Sequence, residues 1–368
     1  MNTRRPETAT NTRQAEAVTG TPRRAEAPPS TLSVVVCSYT TDRWDDLTAA
    51  LDSLAAQRRR PDETVVVVDH CPELTARLAD RPELRVVEST EPPGVSGARN
   101  TGVREARGEV LAFLDDDAVA RPDWTEALLD GYRDPAVLGV GGRVDSWWET
   151  GRPGWFPPEY DWVVGCSYPG APEDAGAVRN FIGANMSFRR AAVVAAGGFR
   201  GDLGRIGTSP FGCEETELCV RLTALNPGGV LRHQPAAVVR QHVPPARTGW
   251  RYFSSRCYAE GRSKAVVARH VGARSALSSE RRYLRRTLPV AVFRAVRHGR
   301  LRAAGALGAG AGLAAAGYAT GYATGRLRRP SGPGTPDTDA STNATATATA
   351  TATGTASATG AAAPGTRP

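Results

Sequence analysis

The sequence predicts an α/β fold: a mostly parallel sheet with helices on both faces, followed by a basic helical C-terminal segment. Three observations carry this expectation. Several short runs are continuously apolar and rich in β-branched residues, as suits strands buried on both faces. Segments with helical apolar spacing separate those runs, the alternation that parallel strands joined by crossover helices require. Three of the runs also end in polar groups, and in such sheets ligands gather at the carboxyl ends of the strands.

LSVVVCSY (32–39) is the first strand. Trp44 to Gln57 reads as a helix, with Leu47, Leu51 and Leu54 on one stripe and Asp45 and Asp46 suited to its positive N-terminus. TVVVVD (64–69) and ELRVVES (83–89) are the second and third strands, and GVSGARNTGVREARG (94–108) opens on Gly and Ser before turning helical. EVLAFLDDD (109–117) is the fourth strand. RPDWTEALLDGY starts a helix, with Pro122 placed for its first turn. AVLGVGGRV (136–144) and NFIGANMSFRR (180–190) are strands, and AAVVAAGGF is a short helix ending at Gly197-Gly198. Between them, residues 145–178 are rich in Trp, Gly and Pro and show no period. They read either as a packed loop with aromatic anchors or as a substrate lid or acceptor wall.

The ends are poor core material. Residues 1–31 and the Ala/Thr-repeat tail 330–368 are expected to be disordered, since neither buries enough apolar surface to offset chain entropy. That leaves a folded α/β domain at 32–270 and a basic helical segment at 271–329. No N-terminal apolar run suggests a secretory signal, and the six cysteines lack CxxC spacing, so a cytoplasmic setting is expected. The net charge is +8, yet eleven arginines and no acids lie between Arg281 and Arg329, so the rest of the chain is net acidic. That distribution argues against a nucleic-acid binder.

The basic run RRYLRRTLPVAVFRAVRHGRLRAAG is followed by 303–325, an uncharged stretch of mostly Ala and Gly. It is long enough to span a bilayer but too poor in large apolar residues to insert alone. Gly317, Gly321 and Gly325 recur every four residues, a spacing that lets helices approach closely. The segment reads either as an Ala-rich helix folded on the body or as an attachment to an anionic membrane surface. The latter predicts a peripheral protein at the inner face of the plasma membrane.

The chemistry centres on Asp115, Asp116 and Asp117. Two like charges about 4 Å apart in a half-buried site repel by roughly 4 kcal/mol. Either solvent or a bound cation must relieve that. Polar groups at two other strand ends, Ser38-Tyr39-Thr40 and Asp69-His70, favour a ligand-and-metal site. A Walker loop and a GxGxxG after the first strand are both absent. Acids in place of a glycine loop suggest that a hard divalent ion, Mn2+ or Mg2+, holds phosphates there.

The motifs SVVVCSYTTDR, VVVVD, GVSGARNTG, FLDDDAVARPDW, GANMSFRR with GGF, and CEETELCVRL stand in the order seen in family 2 glycosyltransferases. From Leu32 to about Lys264 the chain resembles that family, which implies the GT-A Rossmann-like fold and inverting transfer from a nucleotide sugar. By this resemblance Asp115 faces the nucleotide ribose, Asp117 binds the metal, and Asp116 lies between them on the donor side. Asp69 matches the acid that contacts the base, Tyr39 lines the same pocket, and Arg99 and Asn100 match a donor-side helix start. His242, after a strand in VVRQHVP, matches a metal ligand of several relatives. The base position, usually Asp, is here Glu215 in Cys213-Glu214-Glu215-Thr216-Glu217, with Glu214 second; Glu217 is expected only to favour the helix N-terminus. His70, His233, His270 and His298 are given no role.

The implied reaction moves a sugar from a UDP-sugar to a hydroxyl of a glycan or polyprenyl-linked acceptor in cell-envelope or polysaccharide synthesis. Two other classes stay open at this point. A non-catalytic sugar-nucleotide-binding or membrane scaffold protein would keep the fold without the base. A nucleotidyltransferase would need a Gly-rich basic loop after the first strand, where SYTTDRWDD stands.

Overall fold

The structure, a computed structural model, describes residues 29–207 and 210–327. The disorder expected at 1–31, apart from 29–31, and at 330–368 concerns residues outside that range. The elements run in order β1 (Leu32–Ser38), α1 (Trp44–Ala55), β2 (Glu63–Val68), α2 (Pro72–Leu78), β3 (Arg85–Glu88), α3 (Val95–Glu105), β4 (Val110–Asp115), β5 (Ala118–Ala120), α4 (Trp124–Asp130) and β6 (Val137–Trp148). They continue with β7 (Gly176–Ala177), β8 (Asn185–Arg189), α5 (Arg190–Ala195), α6 (Glu214–Leu225), β9 (Val230–Val243), α7 (Trp250–Val271), α8 (Ala273–Ala276), α9 (Ser278–Arg282), α10 (Leu288–Arg297) and α11 (Leu301–Leu327).

One nine-stranded sheet has the order β3-β2-β1-β4-β8-β6-β9-β5, with β7 on β9. The first four strands are parallel. β8 runs antiparallel between β4 and β6, and β6 and β9 are again parallel. The apolar runs work as the pleat requires. Val34, Val36, Val66, Val68, Ala112 and Leu114 face a core layer built with α1, α2, α4 and α7. Val35, Val65, Val67, Leu111 and Phe113 face a second layer under α3, α5 and α6. Successive side chains alternate between faces, so a strand covered on both sides must be apolar throughout.

Two details differ from the sequence reading. Pro122 lies in the turn before α4, not within its first turn. The chain also leaves β4 at Asp115 and re-enters the sheet three residues later as β5, pairing antiparallel with β9.

The aperiodic stretch after β6 packs through aromatic anchors, as the first of its two readings expects, and part of it also lines a cavity. Phe156, Tyr160, Val163 and Val164 are buried in the first core layer, and Phe156 and Tyr160 lie 5.4 and 5.1 Å, centroid to centroid, from the Phe253 ring of α7. Trp162, Ser167 and Tyr168, from the same stretch, line the large cavity described below.

The basic C-terminal segment joins the same core. Leu288, Ala291 and Ala295 of α10 and Ala306 and Leu307 of α11 are buried with the residues under α1 and α4. The α11 helix lies along α7, and glycines set the distance. A Cβ added at Gly261 would sit 2.0 Å from the Ala314 carbonyl oxygen, and one at Gly317 would sit 2.0 Å from that of Tyr258. The four-residue glycine spacing therefore serves helix packing within this chain. No helix among the described residues is long and apolar enough to cross a membrane.

In an exposed helix Gly→Ala gains about 1 kcal/mol. At Gly261 the clash is with backbone, which a side-chain rotation does not relieve. Gly261→Ala is therefore expected to destabilise by about 1–3 kcal/mol, as overpacking does; urea denaturation measures the sign.

Candidate active site

The carboxyl ends of β1, β2 and β4 open into a cavity of about 920 Å³. Parallel pairing of β1 with β4 puts Cys37 opposite Asp115, so Ser38 and the acid run reach the rim together. Asp116 accepts hydrogen bonds from Ser38 Oγ at 2.6 Å and from Arg43 at 2.7 Å. Asp117 accepts from Arg247 at 2.8 Å and more weakly from Arg43 at 3.4 Å. Both acids are only 4% exposed. The backbone N–H of His242 donates to the Asp117 carbonyl at 2.8 Å, which fixes the acid run against β9. Burial raises the Asp116 carboxyl to about 7; the Asp117 charge adds to this, against the pull of Arg43 and Ser38. Burial likewise raises Asp115, against Arg99.

Asp69 and Tyr39 also line the cavity. Asp69 accepts from the backbone N–H of Gly94, at the start of α3, at 2.8 Å, and lies 2.7 Å from His70 Nδ1. Tyr39 is 42% exposed at the rim, with the Arg43 guanidinium 4.9 Å from its ring centroid.

Arg99 sits deeper, at 3% exposure. It donates to Glu214 at 2.6 Å, to Asp115 at 3.2 Å and to the Gly183 carbonyl at 3.3 Å. Burial disfavours its charge, but the Glu214 and Asp115 carboxylates more than restore it. Its donors are thus engaged within the protein, and it ties the end of β4 to the start of α6. Asn100 does not reach the cavity. Neighbouring residues on a helix point about 100° apart, and Asn100 faces the GGF motif instead. Its amide donates to the Phe199 carbonyl at 2.8 Å and its oxygen accepts from the Phe199 N–H at 2.7 Å. Gly198, at φ +73°, passes so close that a Cβ there would lie 2.5 Å from the Asn100 oxygen. The expected donor-binding role of Asn100 is therefore corrected to a structural clamp.

α6 begins just after Cys213, a non-glycine residue at φ 72°. This turn places Glu214 against Arg99 and Glu215 on the cavity wall. Glu215 is half-buried and accepts from Thr216 Oγ1 at 3.0 Å. Burial raises its carboxyl to about 7, helped by the Glu214 charge and opposed by Lys264. Glu217 is held by Arg221 one turn on, at 2.8 Å, away from the reacting region.

His242 also departs from expectation. Side chains alternate across a strand, so Gln241 lines the cavity and the His242 ring points away. Its Nδ1 lies 2.8 Å from Asp46, its Nε2 lies 3.1 Å from Glu149, and its ring packs on Trp147 at 4.9 Å. The pairing of Asp117 with the His242 imidazole around one metal is not formed.

Sequence reasoning missed the arginines. Arg43, Arg205, Arg247 and Arg256 all line the cavity. Arg205 makes no ion pair among the described residues, and burial, with Arg256 and Arg247 nearby, lowers its proton affinity. An arginine stays charged regardless, so it presents an unneutralised cation to the cavity. Each of these arginines stands alone in a loop or on a long helix, in a pattern that no local periodicity marks.

Among the described residues no three His, Cys, Asp or Glu side chains converge as a closed metal cage. Mg2+ and similar hard ions need only one or two carboxylates when substrate phosphates supply further oxygens. Buried Asp117, now neutralised by arginines, with Asp115 and Asp116 beside it, fits that kind of site.

Clustered acids at the sheet rim thus face arginines and one raised glutamate across a single cavity. The chain belongs to glycosyl transferase family 2 and is a glycosyltransferase. Residues 33–195 match the family described as Glycosyl transferase family 2. The chain is 34% identical over 241 residues to the glucosyl-dolichyl phosphate glucuronosyltransferase of Haloferax volcanii, covering 64% of this chain and 77% of that protein. It is 28% identical over 242 residues to the succinoglycan biosynthesis protein ExoM of Rhizobium meliloti, covering 63% and 73%. The solved mannosyltransferase PcManGT from Pyrobaculum calidifontis, in complex with GDP-Man and Mn2+, aligns with a TM-score of 0.49 at 21% identity, covering 83% of this chain and 91% of that one.

Removing Arg99 would strand the buried Glu214 carboxylate and unpair the half-buried Asp115. Arg99→Met is expected to cost about 3–5 kcal/mol. Asn100→Ala, which loses hydrogen bonds to one backbone segment, should cost about 1–3 kcal/mol and leave donor KM unchanged. Denaturation curves and donor titrations on the two variants test these assignments.

Proposed function

We propose that this glycosyltransferase catalyses inverting transfer of a sugar from a nucleoside-diphosphate donor, a UDP-sugar by family resemblance, to a hydroxyl of a lipid-linked acceptor in cell-envelope or polysaccharide synthesis. The observation that carries this reading is the placement of Glu215 in the same cavity as the Asp115–Asp117 run and Arg205. A hydroxyl is a poor nucleophile at neutral pH, and a carboxylate with a pKa near the working pH serves well as general base. Glu215 takes the acceptor proton as the oxygen attacks the anomeric carbon, and the nucleoside diphosphate leaves from the opposite face. Glu214, neutralised by Arg99, is not free for that role.

The departing diphosphate gains negative charge, which Arg205 and Arg247 are placed to stabilise. Asp117, assisted by Asp115, would hold a divalent cation, Mn2+ or Mg2+, which supplies further charge stabilisation when bound. Asp69 and Tyr39 would border the nucleoside, with Asp116 held by Ser38 and Arg43 as the support of the acid run. A lipid-linked acceptor is supported by the Haloferax relative, whose name specifies a dolichyl-phosphate-linked sugar. The exposed arginines of α9 and α10 fit the anionic inner face of the plasma membrane, where the protein would be peripheral.

Glu215→Gln should lower kcat by about 10²–10⁴-fold with donor affinity unchanged; retention of full transfer would remove Glu215 from the role. The base must be ionised to act, so kcat/KM should fall as pH drops below about 7 and level off above it. In thermal-shift measurements with Mn2+, UDP should stabilise more than GDP or dTDP, and Arg205→Met should abolish the shift. Full activity in EDTA would remove the cation.

A further inference from the structure

The cavity does not end at the polar site. Its far wall includes Arg281 and Arg282 of α9, Leu284, and Ala311 of α11. Ala311 also lines a second depression, a groove of about 570 Å³ between α10 and α11. That groove is bordered by Leu288, Val292, Phe293, Val296 and Leu307. Phe293 is 67% exposed and Val296 is 52% exposed, while Leu288 and Leu307 anchor the two helices in the core. Large apolar side chains left open beside a polar cavity mark a binding surface more often than chance exposure.

The charges at the junction are unlike their neighbours. Arg179 and Lys264 are both paired with Glu280, at 2.6 and 2.8 Å. Arg281 and Arg282 have no carboxylate partner among the described residues. From Glu215 outward, the surface therefore runs from polar cavity to unpaired cations to apolar groove. A polyprenyl-phosphate sugar has the same sequence of parts: sugar, phosphate, hydrocarbon.

We propose that the α10–α11 groove seats the isoprenoid tail of the acceptor and that Arg281 and Arg282 grip its phosphate at the cavity mouth. This deepens the lipid-linked acceptor reading and rests on it. It assigns the Arg-rich segment a specificity role in addition to any attraction to a bilayer.

The test uses the full chain in nonionic detergent, with undecaprenyl phosphate and geranyl phosphate as probes. The wild type should bind the long chain at least about tenfold more tightly than the short one, the effect of roughly two buried methylenes. The exposed double variant Phe293→Ser/Val296→Ser should lose that preference. Arg281→Gln/Arg282→Gln should weaken both phosphates by about tenfold. Both variants should keep the wild-type thermal shift with UDP and Mn2+, which shows that they fold.

Equal affinity of the wild type for the two probes would overturn the proposal, as would an unchanged preference in the serine variant. Equal loss of binding by the serine variant to anionic vesicles lacking isoprenoid would make the patch a bilayer face, and a change of oligomeric state would make it a self-contact; either overturns the groove. Transfer to a polyprenyl-linked sugar with unchanged KM in the serine variant sinks the groove alone. Transfer only to soluble glycans, without polyprenyl-phosphate binding, sinks the acceptor reading with it.

Discussion

The Arg99 guanidinium holds together parts of the chain that are far apart in sequence. It lies under the rim of the sheet, between Asp115 at the end of β4 and Glu214 at the start of α6. The Glu214 carboxylate could not be buried there unpaired, because a lone buried charge costs several kcal/mol. With Arg99 in place, one acid run and one helix start share a fixed separation. The same contact consumes the charge of Glu214 and leaves its neighbour Glu215 as the glutamate of that pair facing the cavity without an ion-pair partner among the described residues. One buried cation thus ties the two elements together and leaves two adjacent glutamates in different surroundings.

The sheet contributes position and the loops contribute charge. Parallel pairing of β1, β2 and β4 brings Ser38, Asp69 and the acid run to one edge. The arginines that neutralise or complement those acids come from elsewhere: Arg43 from the turn before α1, Arg205 from the loop before α6, and Arg247 from the turn after β9. Asp117 in particular is already balanced within the protein by Arg247 and Arg43. Arg43, shared between Asp116 and Asp117, offsets part of the repulsion that the two acids exert on each other.

Most of the fold was legible in the sequence because burial on both faces leaves a strong signal, the uninterrupted apolar run. The acid run was legible because like charges placed together need a reason, whereas Glu214 and Glu215 were legible only through the resemblance of CEETELCVRL to a family motif. The errors have geometric causes. Asn100 shares a motif with Arg99, but a helix cannot aim adjacent residues at one point, and the Asn100 amide clamps Phe199. His242 follows Gln241 on a strand, and alternation sends the two to opposite faces. Short β5 was hidden because it follows the acids without a turn signature. The cavity arginines were illegible for another reason: a single basic residue in a loop acquires meaning only from what tertiary folding brings beside it.

The pairing of α7 with α11 has a consequence for how the molecule comes into being. Ala311, Ala314 and Tyr318, all on the last described helix, form part of the cavity wall. A chain emerging from the ribosome has its strands, its acid run and Glu215 long before that helix is available to close over α7. Until then the flank of α7 around Gly261 is bare and the chamber lacks one side. Most of the cavity lining is thus translated well ahead of the helix that encloses it, and an interrupted chain would leave an open bowl.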